Sequence, residues 1–149
     1  MNSTRTRRTT LSLTLATTAV AALALSGCSL QQTLQKESSG TYADSAALSA
    51  EWDKTAPWLP ADATDISVHE STEGDPASLL ATSDTDLDLS KCAEVDRQSA
   101  PTFAIDGAPD AYKIDTVFAC GDWAVAPTDD GWYGWTPNHP DEKAASPAQ

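Results

Sequence analysis

Tyr112-Lys113-Ile114-Asp115-Thr116-Val117-Phe118-Ala119-Cys120-Gly121-Asp122-Trp123-Ala124-Val125-Ala126-Pro127-Thr128-Asp129-Asp130-Gly131-Trp132-Tyr133-Gly134-Trp135-Thr136 is the stretch that decides the fold. Tyr112, Ile114, Thr116, Phe118 and Cys120 alternate with smaller or more polar residues, the period of a half-buried strand. Gly121-Asp122 is a two-residue hairpin signal. The chain returns over Trp123 to Pro127, Thr128-Asp129-Asp130-Gly131 turns it again, and Trp132 to Thr136 makes a last strand. Such a meander builds an antiparallel sheet.

Upstream, Ile66 to Thr72 alternates with Ile66 and Val68 on one face. Glu73-Gly74-Asp75-Pro76 is a turn, and Ala77 to Ser83 completes a hairpin. Asp44 to Lys54 reads as a short helix capped by Ser45, with Leu48 and Trp52 on its apolar side, and Pro57 and Pro60 stop it. Asp88 to Arg97 reads as a second short helix, with Leu89, Cys92, Ala93 and Val95 turned inward. Pro101, Gly107 and Pro109 make 98–110 a loop. The fold class is α+β, with a mainly antiparallel sheet of about five strands and one or two short helices in a domain at 44–138. Residues 139–149 are expected to fray.

Net charge over the 149 residues is −13, with Arg5, Arg7 and Arg8 ahead of the first acidic residue, Glu37. Without the first 27 residues, six basic side chains face 22 acidic ones, a net charge of −16. That surface cannot neutralise phosphates, which excludes nucleic acid as a partner. Of the three cysteines, Cys92 and Cys120 fall in the domain. Two cysteines in a small exported domain pair. A bridge between them would contribute about 3 kcal/mol through loop closure. Zinc is disfavoured, because there is no Cys-x-x-Cys and no histidine cluster.

The first 27 residues have a basic start, Asn2 to Arg8, an apolar run from Leu11 to Leu25, and small residues before Cys28, the layout of an export signal. The run, about 15 residues, is shorter than the ~20 of a spanning helix. Leu25-Ser26-Gly27-Cys28 resembles the lipobox of bacterial lipoproteins. The resemblance covers residues 1–29. It implies cleavage before Cys28, diacylglycerol on the Cys28 sulfur, and anchoring at the extracytoplasmic face of the cell membrane. Residues 1–27 are then a signal peptide, and 28–43 a lipidated start and flexible tether, rich in Gln, Ser and Thr to about Thr41. Thr6-Arg7-Arg8-Thr9-Thr10-Leu11 is similar to the twin-arginine export motif, with Thr10 where that motif carries Phe; Sec export is favoured over it. Trp58-Leu59-Pro60-Ala61-Asp62-Ala63-Thr64-Asp65-Ile66 followed by a hairpin resembles the opening of many small uncharacterised bacterial lipoprotein domains, which implies no activity.

Trp123, Trp132, Tyr133 and Trp135 form the candidate ligand patch. Rings exposed on a sheet stack on sugars or Pro-rich peptides. Successive strand residues point to opposite faces, so Trp132 and Tyr133 part, and some of these rings must be core. Asp84, Asp86 and Asp88 have calcium-loop spacing, but Leu89 stands where an EF-hand needs Gly and Val95 where it needs Glu. His69 and His139 have no partner readable from sequence and are expected at the surface. There is no Gly-x-Ser-x-Gly elbow, and no carboxylate pair stands out as acid and base. No catalytic residue, metal ligand or cofactor is assigned. The expectation is a non-enzymatic binding or interaction module, its partners the membrane through its lipid and an envelope protein or glycan. The alternative is a small envelope hydrolase using carboxylates.

Overall fold

The computed structural model describes residues 36–148. Cys28, the export signal and tether residues 28–35 lie outside them. The elements are β1 (Glu37–Asp44), α1 (Ser45–Glu51), β2 (Thr64–Ser71), β3 (Ala77–Thr82), β4 (Ala93–Asp96), a 3-10 turn (Ala111–Lys113), β5 (Thr116–Cys120), β6 (Trp123–Pro127), β7 (Gly131–Thr136) and α2 (Pro140–Ala145). The seven strands form one sheet in the order β1-β2-β3-β7-β6-β5-β4. Every neighbouring pair is antiparallel. No helix among the described residues is long and apolar enough to cross a membrane.

The β2–β3 hairpin and the β5–β6–β7 meander form where alternation and turn chemistry put them. In the meander, Cys120 pairs with Trp123 across Gly121-Asp122, and Gly121 carries the positive φ of 65° that the turn needs. The sheet is larger than five strands because two edge strands join it. β1 occupies 37–44, which the tether reading had left unstructured, and pairs along its length with β2. Its sequence is polar, and its ladder comes from β2, not from an apolar stripe of its own. β4 replaces the expected helix at 88–97. Ala93 and Val95 are half-buried while Glu94 and Asp96 are exposed, the alternation of a strand. Leu89, which a helix would turn inward, is 67% exposed.

The helix after β1, Ser45–Glu51, lies within the expected 44–54 and differs in its cap. Asp44, not Ser45, is its cap, with a carboxylate oxygen accepting from the Ala47 amide at 2.8 Å. The C-terminal tail does not fray at once. Pro140–Ala145 is helical, with Pro at its start and a capping box between His139 and Glu142.

Both faces of the sheet are covered. On the helix face, α1, the segment 52–63 and Leu87 bury Ile66, Val68, Leu79, Trp123 and Val125. On the loop face, Val117, Ala124, Ala126, Tyr133 and Trp135 lie under the 97–115 segment.

Candidate functional site

β7 sends its rings in both directions. Tyr133 and Trp135 enter the loop-face core, where small residues of β6 face them, Ala126 opposite Tyr133 and Ala124 opposite Trp135. Trp132 lies on the helix face, and Gly134 beside it leaves the space that the Trp58 ring fills. Trp58 in turn packs on Trp123 at 5.7 Å, and Trp52 meets Trp123 edge-on at 6.2 Å.

The candidate patch is therefore mostly core. Trp123 is 4% exposed, Tyr133 2% and Trp135 0%. Trp132 is half-buried, its indole N–H donating to the Thr85 carbonyl at 2.9 Å and its ring edge-on to Phe118. No two of these four rings are exposed side by side, so they do not form a stacking platform. The reason is supply. The domain has few other large apolar residues, and a seven-stranded sheet with two faces consumes those it has.

Cys92 and Cys120 form a disulfide with α-carbons 4.3 Å apart. Ala93 pairs with Ala119, so the two cysteines occupy the next rung, and the bridge joins edge strand β4 to β5. It is a cross-strand staple, where the helix reading had expected a helix-to-strand one.

The histidines have partners that the sequence did not reveal. His69 stacks on Phe103 at 4.7 Å. Its Nδ1 faces the Ala104 carbonyl and its Nε2 the Glu37 carboxylate, each at 3.1 Å. Both ring nitrogens therefore face protein acceptors within hydrogen-bond distance. His139 caps α2.

Glu142 is the most elaborately held carboxylate. It is fully buried. It accepts from the amides of Gln98 (2.5 Å), Ser99 (2.9 Å) and His139 (2.8 Å) and from the Ser99 hydroxyl (2.6 Å). Burial works to raise its pKa, but the hydrogen bonds from Ser99, Gln98 and His139 outweigh it and hold the group below the ordinary glutamate value. Ser99 also receives the Trp135 indole N–H at 2.9 Å. The sequence signal was there: a residue able to cap, then Pro140, then Glu142 two further on. Tyr133 is raised by burial, partly offset by Ser78.

A cleft of about 560 Å³ opens at the end of the sheet between the β6–β7 turn and the 107–109 loop, with Asp65, Gly107, Pro109, Thr128, Asp129 and Asp130 in its wall. A second, about 400 Å³, shares Thr128 to Asp130 and adds Ser83 to Asp86. The first has the size of a small-ligand cleft. Its titratable groups are aspartates alone, and among the described residues no three His, Cys, Asp or Glu groups converge to hold a metal. Asp84, Asp86 and Asp88 do not converge on one point among the described residues. Asp88 is turned to its own loop, where the Ser90 hydroxyl and amide and then Lys91 hold it below the usual carboxylate range. Asp62, nearby, is lowered first by the Ser83 hydroxyl at 2.7 Å.

No family model, no curated protein and no solved structure matches this chain.

Proposed function

We propose that the chain is the precursor of a bacterial lipoprotein, exported and anchored to the extracytoplasmic face of the cell membrane through lipid on Cys28, with a domain that acts by binding and not by catalysis. The observation that carries this is Leu25-Ser26-Gly27-Cys28, at the end of an apolar run behind Arg5, Arg7 and Arg8 and eight residues ahead of the first described one, Lys36. The Cys92–Cys120 disulfide supports an oxidising compartment outside the cytoplasm. Aspartates without a partner base give little for a hydrolase to use.

Cys28→Ser tests the anchor. Removing the acyl acceptor is expected to move the protein from the detergent phase to the aqueous phase in phase partitioning, with the acyl mass lost from the intact chain, because stable attachment rests on the acyl chains. A Cys28→Ser protein that stays with membranes at wild-type level overturns the reading.

A further inference from the structure

The sheet ends on β4, which pairs with β5 on one side only. One rung past β4, in the same register, the Arg97 amide donates to the Asp115 carbonyl at 2.8 Å. Hydrogen-bonded rungs alternate in an antiparallel ladder, so Ala93 and Val95 also turn their N–H and C=O groups inward to β5. Glu94 and Asp96 turn theirs outward, and no hydrogen bond among the described residues reaches those groups. The edge therefore offers two donors and two acceptors in strand geometry.

The side chains of the same strand alternate in chemistry. Ala93 and Val95 are half-buried, Val95 against the loop-face core. Glu94 and Asp96 are exposed on the other face, Glu94 opposite Phe118, and no ion pair among the described residues reaches either. The basic residues nearest along the chain are engaged elsewhere, Lys91 with Asp88 and Arg97 with the Ile114 and Ser99 carbonyls. Two large apolar side chains are exposed among the described residues, and they flank this strand. Leu89, 67% exposed, is in the turn just before β4, closed by the Lys91 and Cys92 amides on the Asp88 carbonyl. Tyr112, 79% exposed, stands just past its other end, its ring centroid 5.8 Å from the Arg97 guanidinium.

We infer that the β4 edge docks an extended segment of a partner protein, in which basic side chains alternate with apolar ones. The inference rests on the reading of the domain as a binding module and names the partner's chemistry. An added strand takes its affinity from main-chain bonds to Glu94 and Asp96 and its specificity from the alternating side chains. Residues directly opposite Glu94 and Asp96 are best filled by Lys or Arg, and the residue between them, beside Val95, by an apolar side chain. Leu89 and Tyr112 then cover the two ends of the added strand. A second copy of this chain is a poor occupant. Symmetric antiparallel pairing of β4 with itself sets Glu94 against Asp96 when centred on Val95, and sets a carboxylate against its own copy when centred on Glu94 or Asp96. Like charges directly opposite each other are destabilising. The charges that keep two copies apart are thus the ones that select a basic strand.

The test uses the protein as isolated in neutral detergent micelles and a short peptide alternating lysine and valine. Two N-methylated forms of that peptide have the same charge and composition. One is methylated on the lysine amides, which would face β4, and the other on the valine amides, which would face away. Titration followed by amide NMR is expected to show binding of the unmodified and valine-methylated peptides, with slowed exchange at the Glu94 and Asp96 amides. The lysine-methylated form is expected to bind at least about tenfold more weakly, since it loses the main-chain bonds. In the protein, Asp96→Pro removes an outward donor without touching the rungs to β5 and is expected to weaken the unmodified peptide similarly. Glu94→Lys with Asp96→Lys is expected to transfer preference to a peptide alternating glutamate and valine. Equal affinity of the two methylated forms reduces the contact to charge alone and overturns the docking strand, as does absence of binding, or binding that leaves the Glu94 and Asp96 amides unchanged. None of these outcomes touches the anchor, which Cys28→Ser tests separately, and a domain that binds through another surface remains compatible with them.

Discussion

The two faces of the sheet are closed by different chemistry. On the helix face the cover is apolar: Trp58 lies in the space above Gly134, Trp52 and Trp58 meet Trp123, and Leu48 and Leu87 complete the cluster. The Trp58 indole N–H has no partner there, so that ring is held by shape and area alone. On the loop face the cover is pegged by hydrogen bonds. Glu142 gathers the backbone at 98–99, Ser99 takes the Trp135 indole, Ser78 donates to the Phe103 carbonyl at 2.8 Å, and His69 meets the Ala104 carbonyl. A helix can bring its own backbone satisfaction to an apolar face, whereas an irregular segment such as 97–110 needs side chains to satisfy its amides and carbonyls.

This difference predicts how each face fails. The largest effect is expected at Gly134. Any Cβ there meets the Trp58 ring inside van der Waals contact, so Gly134→Val displaces the ring and costs about 4 kcal/mol through overpacking and lost burial. Chemical denaturation read by tryptophan fluorescence measures it. Trp58→Phe in the same chain, by vacating part of the space, should recover some of the loss; additive penalties would show that the two do not share a contact.

Next in size is the staple at the border of the helix face. Cys92→Ser or Cys120→Ser is expected to cost about 3 kcal/mol, chiefly by freeing the unfolded chain. Because β4 has only four residues and lies at the edge, hydrogen exchange should quicken there before it does in β3 or β7. Uniform quickening would mean that the bridge does not act locally.

The loop face should give the smaller loss and a different pH response. Glu142→Ala leaves its buried donors unpaired and costs about 2–3 kcal/mol. Since the folded-state pKa of Glu142 lies below its unfolded value near 4.3, its contribution is complete above that value and disappears as pH falls through the folded value. Glu142→Gln should therefore flatten the acid limb of the stability profile relative to wild type, while Gly134→Val leaves its shape unchanged. Parallel acid limbs for wild type and Glu142→Gln would remove the carboxylate from the account.

The sequence carried the elements that own their pattern. The β2–β3 hairpin and the β5–β6–β7 meander were legible in alternation plus Gly, Asp and Pro turns, and Cys92 with Cys120 in the cysteine count. The elements it hid were those that borrow their stability. β1 has Ser38-Ser39-Gly40-Thr41 at its centre, the composition of a tether, and becomes a strand because β2 offers a ladder. Leading into β4, Leu89, Cys92 and Ala93 have helical spacing, but a cross-strand bridge and the edge of β5 make Ala93–Asp96 extended. α2 hid in a tail rich in Pro and charge because its one buried side chain is a glutamate.

For the site, residue types alone fixed that no nucleophile elbow or metal-ligand set was present in a recognisable spacing, and that Cys28 follows a lipobox-like run. Which rings are core was a tertiary decision. Period two told Trp132 from Tyr133, but only the coverage of both faces buried Trp123, Tyr133 and Trp135 together. The pairing of both His69 nitrogens with acceptors and the cradle around Glu142 depend on contacts between residues distant in the chain. Local sequence determines turn and strand propensity because those arise from dihedrals and nearest neighbours. Burial and charge placement arise from which strand lies beside which, and that is settled only when the whole sheet closes on its two covers.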